Sequence, residues 1–282
     1  MTGGSGKLGR AVVDELVAHG YEVVNLDLVP PRENRGGFVQ VDLTDFGRVL
    51  EALTGIDDKY DRVDAVVHLA AIPAPGLTGN ATTFTHNLTA TYHVFQAARV
   101  AGVRRVVWAS SETLLGLPLG PENPPPYLPV DEEYPARPQT GYALAKHLEE
   151  TMAAQYCRWD PELTMVGLRF SNVMEPADYA RFPSFDADPD LRRWNVWGYI
   201  DARDGAQAVR LALRYPRSGL EVFVIANADT VMSQHSADLA AQVYPQVPVT
   251  RQLEPHETLL SIDKARRLLG YEPRYSWREH VA

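Results

Sequence analysis

Tyr142 and Lys146 are the pair of side chains whose types and spacing most directly suggest chemistry. Residues four apart share one face of a helix, so a phenol and an ammonium there converge on a single ligand. A free tyrosine, with a pKa of about 10, is a poor base near neutrality. A neighbouring lysine cation favours the phenolate, and lowering the pKa by about three units takes roughly 4 kcal/mol of differential stabilisation. Such a phenolate takes the proton from a substrate hydroxyl while the same carbon gives up a hydride. Tyr-x-x-x-Lys is common by chance. Here it gains weight from Ser110-Ser111 at the end of the preceding predicted strand and from a glycine-rich stretch at the front of the chain.

That stretch, residues 1–9, holds Gly4-x-Gly6-x-x-Gly9 and the overlapping Thr2-Gly3-x-x-Gly6-x-x-Gly9. A diphosphate must come within hydrogen-bond reach of main-chain N–H groups, and a β-carbon in the way blocks it. Glycine removes that carbon, permits φ > 0 in the turn and lets the next helix start close to the sheet. The helix predicted from Lys7 to about His19 points its positive end at the phosphates. Tyr21 to Leu26 reads as a strand, and Asp27 ends it 18 residues after Gly9, where an acid binds adenosine ribose hydroxyls. An acid there also repels the 2′-phosphate of NADP, so NAD is the expected cofactor, with Arg32 as the group that could soften the preference. Its positive nicotinamide accepts the hydride and adds to the charge favouring a Tyr142 phenolate. The bland alternative is a glycine turn with no ligand. One feature conflicts with the pattern: no room for a strand precedes Thr2. In a doubly wound sheet that strand is central, and without it backbone groups go unpaired. The expectation is therefore a natural chain that begins several residues upstream, with Met1 where a buried apolar residue belongs.

The remaining elements must carry these groups to one place. A loop from Pro30 to Gly37 leads to a short strand, Phe38 to Val41, and Thr44-Asp45 can cap a helix to about Leu53. The apolar run Val63 to Leu69 suits a strand buried on both faces. It empties into Ala70-Ala71-Ile72-Pro73, small residues against which a flat cofactor can lie. A long helix is predicted over 81–101 with Gly102 as its C-terminal cap, then a strand from Val103 to Ala109. Residues 116–140 form a proline-dense loop, long enough to be functional. Helix 141–158 carries Tyr142 and Lys146, and Leu163 to Phe170 is the next strand. This alternation implies a Rossmann-type α/β fold, a doubly wound parallel sheet with crossover helices. After Glu175 the pattern breaks into aromatic, proline and arginine residues. A helix (201–214), a strand (221–226) and two short helices (236–243 and 261–269) follow. The chain thus divides into an NAD-binding domain, 1–174, and a small C-terminal substrate lobe, 175–282, interleaved with the last strands and helices of the sheet.

Composition narrows the function classes. Hydrophobic residues at 45% allow a sizeable core, and a net charge of −9 argues against a nucleic-acid or anionic-membrane partner. The single cysteine, Cys157, permits no intrachain disulfide, which fits a reducing cytoplasm, and reads as a small buried apolar residue. No Cys/His/carboxylate spacing suggests a metal site, and no apolar run approaches a membrane span.

In the order Thr2 to Gly9, Asp27, Asp42-Leu43, His68-Leu69-Ala70-Ala71, Ser110-Ser111, Tyr142-x-x-x-Lys146 and Arg169-Phe170-Ser171-Asn172, the chain resembles the extended short-chain dehydrogenase/reductases. Within them it is most similar to the NAD-dependent epimerase/dehydratase group. The tail Asp263 to Pro273 is similar to that group's closing segment. The resemblance implies that Gly3, Gly6, Lys7, Leu8, Gly9, Asp27, Leu69, Ala70 and Ala71 bind the dinucleotide and that Asp42 and Leu43 flank the adenine. Asp42 can equally be a turn acid or helix cap. It further implies that Lys146 binds the nicotinamide ribose as well as activating Tyr142, and that Ser111 hydrogen-bonds the reacting oxygen. Asn87 matches the group's active-site asparagine, thought to hold a helix distortion and a proton-relay water, or it is a polar residue on a solvated helix face. His68 is expected to pack or hydrogen-bond in the sheet rather than act as a base. Asp201 and Asp204 match an acidic segment before a helix, and N-capping explains them equally well.

Ser171 and Asn172 are candidate substrate residues. Arg181, Arg192 and Arg193, with Trp194 and Trp197, could hold a phosphate or carboxylate and stack on a ring, or be exposed charges and packing aromatics. Two departures from the group's pattern bear on the reaction. The Asp-Glu pair that 4,6-dehydratases place after the active-site hydroxyl is here Glu112-Thr113, which disfavours dehydration. The short stretch between Asn172 and Tyr199 favours a smaller substrate than a nucleotide sugar, as in the uronate dehydrogenases of the family. The expected function is therefore NAD-dependent oxidation of a secondary hydroxyl of a sugar or sugar acid. The alternatives are a nucleotide-sugar epimerase that keeps its NAD bound and a non-catalytic NAD-binding sensor. By family analogy, helices 81–101 and 141–158 could form a homodimer interface.

Overall fold

Rows of aliphatic side chains on both faces make a parallel sheet the organising layer of the computed structural model, which describes residues 1–33, 35–56 and 59–280. In chain order its strands are β1 (Val24–Asp27), β2 (Gly37–Gln40), β3 (Val66–His68), β4 (Arg105–Ser111), β5 (Thr164–Phe170), β6 (Val173–Met174), β7 (Ile200–Asp201) and β8 (Gly219–Ile225). β1 pairs with β2, and β3, β4, β5 and β8 form a second run, all parallel. Val66, Val106 and Met165 lie side by side and point to one face, while Val67, Val107 and Val166 point to the other. On the first face pack α2 (Phe46–Thr54), α3 (Asn80–Val100) and α4 (Gly141–Trp159). On the second pack α1 (Lys7–Ala18) and α5 (Ala202–Ala212). Each of these aliphatic side chains, fully buried, contributes about 1.5–3 kcal/mol.

The centre of the sheet is filled in an unexpected way. Thr2 forms a parallel bridge to Leu26 of β1 on one side and to His68 of β3 on the other. Its N–H donates to the Val67 carbonyl (2.8 Å), its carbonyl accepts from Leu69 (3.2 Å), and Gly3 N–H donates to Leu26 (3.1 Å). Residues 1–3 thus join the two runs in the order β2-β1-Thr2-β3-β4-β5-β8. The backbone groups that a missing strand would leave open are met at this level by a bridge rather than a strand. The order reverses direction at Thr2, which makes the strand ends on either side of it the crevice of an open α/β sheet.

The proline-dense loop is less free than its composition suggests. Leu128 N–H donates to Pro248 and its carbonyl accepts from Thr250, while Val130 pairs in the same manner with Leu259 and Ser261. The loop is thereby stitched to the segment between α6 (Ser236–Val243) and α7 (Asp263–Leu269). Residues 176–195 are mostly short 3₁₀ turns, and β6 and β7 pair around them. Asp201 caps α5 by accepting from Arg203 N–H (2.8 Å). Asp204 instead accepts from the backbone of Arg274 and Tyr275, and its burial pushes its pKa up to about 6. Among the described residues no helix is long and apolar enough to cross a membrane.

Gly167 in β5 lies beneath the buried indole of Trp108, whose ring meets Phe95 edge-on at 5.5 Å. A β-carbon on Gly167 would come within 2.8 Å of that ring. Gly167→Ala is therefore expected to destabilise the chain by about 1–3 kcal/mol in urea unfolding, despite the backbone entropy that alanine saves. An unchanged midpoint would show that the indole can shift freely.

Candidate active site

A cleft of about 1100 Å³ runs along the C-terminal ends of β1, β3, β4 and β5. Its near half is bare backbone. Gly3 has φ +73°, and a β-carbon there would sit 2.5 Å from the Ala70 nitrogen; one on Gly9 would sit 2.0 Å from the Gly3 carbonyl. These two glycines are required by the protein's own packing. Gly6 is not: it has φ −74°, and a β-carbon on it would meet no protein atom closer than 3.4 Å. The space over Gly6 belongs to the cleft, beside the N-terminus of α1, and suits an anion. Asp27 lines the same half. One of its oxygens accepts from Ser5 N–H (3.1 Å) and the other from Val29 N–H (3.2 Å), which fixes the carboxylate while leaving acceptor capacity on both. Lys7, Leu8, Leu69, Ala70, Ala71, Asp42 and Leu43 line it too. Lys7 is paired with Asp178 at 2.7 Å, and the Asp42 carboxylate is held below its usual pKa by the Thr44 N–H and hydroxyl.

In the far half the helix cap and two strand ends bring the candidate groups together. Thr140 caps α4 by accepting from Ala143 N–H, which sets Tyr142 and Lys146 in the first two turns, and Ser111 ends β4 opposite them. All three line the cleft, with Ser171 and Asn172 just beyond β5. The Ser111 hydroxyl oxygen accepts from the Thr113 N–H (3.2 Å) and hydroxyl (3.0 Å), so its own proton is free to point into the cleft. Lys146 is buried. Its ammonium lies 5.9 Å from the Tyr142 ring centroid and donates to the Ala109 carbonyl (2.8 Å) and to Glu149 (2.9 Å).

The electrostatics depart from the sequence reading at Tyr142. Burial raises the phenol's pKa, and the opposing Lys146 charge and Ser111 hydrogen bond do not overcome it. Lys146 alone does not produce the phenolate in the ligand-free chain. For Lys146 itself, burial disfavours the charge, but Glu149 and Tyr142 outweigh it and the ammonium is held protonated. His68 sits between the hydroxyls of Thr2 (2.7 Å) and Thr91 (3.0 Å), and burial drops its pKa to about 3, so it stays neutral.

Four sequence candidates stand outside this arrangement. Asn87 neither faces solvent nor lines the cleft. It is buried, and its amide clamps the Ile72 backbone through both N–H (2.8 Å) and carbonyl (3.0 Å), shaping the loop after β3 within an uninterrupted α3. Arg192 is buried behind Trp194, donates to the Gly198 carbonyl (2.8 Å), and is lowered to about 10 by burial. Arg193 is tied to Asp190 at 2.7 Å, and Arg181 is exposed on a 3₁₀ turn. None of the three lines the cleft.

Two residues that pattern reading passed over, Asn25 and Glu149, and one that it weighed only against dehydration, Glu112, do shape it. Asn25, buried in β1, accepts from Gly4 N–H (2.8 Å) and donates to the Ser5 hydroxyl (3.1 Å), bracing the glycine turn. Glu112 lies in the cleft wall, accepts from Asn195 (3.0 Å), and is pushed up to about 7 by burial. Glu149 is fully buried beside Lys146. An Asn inside a strand and a Glu three residues after Lys146 were the available signals. Among the described residues no group of three or more His, Cys, Asp or Glu could hold a metal ion.

Comparison with known proteins places this geometry. Residues 1–226 match the NAD dependent epimerase/dehydratase family. A putative UDP-glucose 4-epimerase of Methanocaldococcus jannaschii is 27% identical over all of this chain and 95% of its own length. The human UDP-glucose 4-epimerase is 29% identical over 61% of this chain, an alignment that spans about half of that enzyme (52%). The structure of a short-chain dehydrogenase/reductase superfamily protein from Agrobacterium tumefaciens with bound NAD superimposes with a TM-score of 0.73 at 26% identity, covering 99% of this chain and 93% of that one.

Gly6 allows the cofactor half of the cleft to be tested apart from the fold. Gly6→Ala is expected to lower stability by no more than about 1 kcal/mol, the difference between a good and a poor N-cap residue. NAD affinity should fall at least about tenfold, or roughly 1.4 kcal/mol. Unaltered binding in an NAD titration would mean that the dinucleotide does not lie over Gly6.

Proposed function

The chain belongs to the NAD dependent epimerase/dehydratase family, and on that basis we propose that it oxidises a secondary hydroxyl of a neutral, nucleotide-linked sugar and returns the hydride, as a 4-epimerase does. The observation that carries the oxidation is the convergence of Ser111, Tyr142 and Lys146 beside a backbone cradle whose open place over Gly6 fits a dinucleotide phosphate. Bound NAD supplies the hydride acceptor and a positive ring near the phenol. Asp27 holds the adenosine ribose hydroxyls, and the small residues Ala70 and Ala71 leave room for the dinucleotide against the backbone. Tyr142 takes the substrate proton on its phenolic oxygen. The Ser111 hydroxyl, with its lone pairs already occupied by Thr113, donates to the reacting oxygen and holds it near Tyr142. Lys146 binds the nicotinamide ribose and supports the phenolate. Burial outweighs Lys146 at Tyr142 in the ligand-free chain, and a positive nicotinamide ring held beside the phenol by Lys146 would favour its ionisation.

The placement of the arginines separates neither substrate class from the other. Arg181, Arg192 and Arg193, the candidates for holding a phosphate or a carboxylate, stand outside the cleft, and Lys146 is the one cation among the described residues lining its far half. The relatives named above, UDP-glucose 4-epimerases, are what favours epimerisation over oxidation of a sugar acid.

Tyr142→Phe removes only the ionisable oxygen, so turnover should fall at least about a hundredfold while NAD affinity persists. The substrate assignment is read from purified protein supplied with UDP-glucose or UDP-galactose: interconversion without net NADH is expected. Stoichiometric NADH from a free sugar or uronic acid would make the chain a dehydrogenase. NAD binding with no turnover on either class would make it a sensor.

A further inference from the structure

Among the buried ionisable groups that the mechanism above leaves without a task, one touches Lys146 directly. Glu149 lies three residues after Lys146 on α4, with no exposed side-chain surface, and its carboxylate meets the Lys146 ammonium at 2.9 Å. An acid at this depth costs several kcal/mol to desolvate, and replacing such a pair by apolar residues is often neutral or stabilising. Stability is a weak reason for its presence. Its second oxygen, Oε1, has no hydrogen-bond partner, so the carboxylate is not fully satisfied by the fold either. The other charged or titratable groups around the pair are few. Glu150 on α4 is bound on both oxygens by Arg169 of β5, Glu112 reaches Tyr142 from the turn after β4, and His68 of β3 is neutral. Burial pushes the Glu149 carboxyl's own pKa up while the Lys146 charge and the Lys146 and Thr91 hydrogen bonds oppose it, and at 2.9 Å the ammonium that faces Tyr142 is the group that holds the charge on Glu149.

We propose that Glu149 is a positioning residue that anchors Lys146 through its ion pair and thereby sets the pH window in which the Tyr142–Lys146 pair can work. The physics gives the direction. An anion beside an ammonium favours its protonated form, and the same anion near a phenol disfavours the phenolate. Glu149 acts on both groups in that sense. It keeps Lys146 charged to higher pH and delays the ionisation of Tyr142 to higher pH. Both limbs of the window move upward together, whereas a purely structural strut would leave the window in place. The inference rests on the proposed roles of Tyr142 and Lys146, but not on the identity of the sugar.

The test uses the full chain and two readouts that need no turnover. The first is the ultraviolet absorbance of the Tyr142 phenolate, taken as wild type minus Tyr142→Phe, across a pH titration. The second is NAD affinity across the same range, which should decline as Lys146 loses its proton. In Glu149→Gln both midpoints should move to lower pH by about one unit or more, with Glu149→Asp in between. Should Glu149→Gln fail to fold, Glu149→Asp against wild type reads the same shift at smaller size. Midpoints that stay within about 0.3 of wild type in a folded variant would overturn the proposal, as would a shift to higher pH (a difference that small is under about 0.4 kcal/mol). A lack of turnover on UDP-glucose would count against the proposed function while leaving both of these readouts decisive for Glu149.

Discussion

The cleft depends on one constraint, that the backbone of Thr2 and Gly3 lies directly between β1 and β3 and that of Gly9 lies directly on Gly3 and Gly4. Thr2 is hydrogen-bonded on both sides, Gly3 is near van der Waals contact with the chain at Ala70, and Gly9 lets α1 start against Gly3 and Gly4. A β-carbon at Gly3 or Gly9 would overlap main-chain atoms, which cannot move aside as a side-chain tip can. The same closeness opens the floor of the cleft, points the N–H groups at the head of α1 toward it, and sets Asp27 at its edge. Asn25 belongs to this constraint as well: its amide satisfies Gly4 N–H, a group that would otherwise be buried beneath the turn without an acceptor.

The far half obeys a different physics, that of charges taken out of water. Lys146, Glu149, Glu150 and Arg169 form two adjacent ion pairs under the cleft floor, and Tyr142 and Glu112 face the cleft above them. Removing water makes each of these interactions stronger and also makes ionisation of the phenol harder. The net result in the ligand-free chain is a neutral Tyr142. Burial and the Lys146 charge thus pull the phenol in opposite directions, and burial is the larger of the two.

Much of this was legible in the residues. The glycine spacing, Asp27, and the Tyr-x-x-x-Lys pair are local patterns, and a helix or turn places them whatever the rest of the chain does. The alternating strands and helices likewise gave the parallel sheet through β5, because hydrophobic periodicity is a local property. Less accessible were effects that arise between distant segments. Asn87 was placed on the correct helix, but its partner Ile72 lies in a loop whose path no pattern reveals. Arg192 reads as a surface charge until the turn at Val196 and Trp197, both with positive φ, folds it inward onto Gly198. That burial outweighs Lys146 at Tyr142 in the ligand-free chain was not readable, because burial and the partner of Lys146 are sums over the whole fold.

The stitching of the proline-dense loop has a consequence for how the molecule comes into being. Val130 closes onto Leu259 and Ser261, contacts separated by about half the chain. The glycine turn, β1, β3 and β4 need nothing beyond residue 111 to meet one another, and β5 joins them at residue 170. During synthesis from the N-terminus, these strands can therefore meet while the substrate half still waits for its last wall, since long closures pay their entropy before any contact rewards it. α1 waits as well, because α5, the helix it packs on, lies at residues 202–212, so both halves of the cleft become firm only when the second half of the chain arrives.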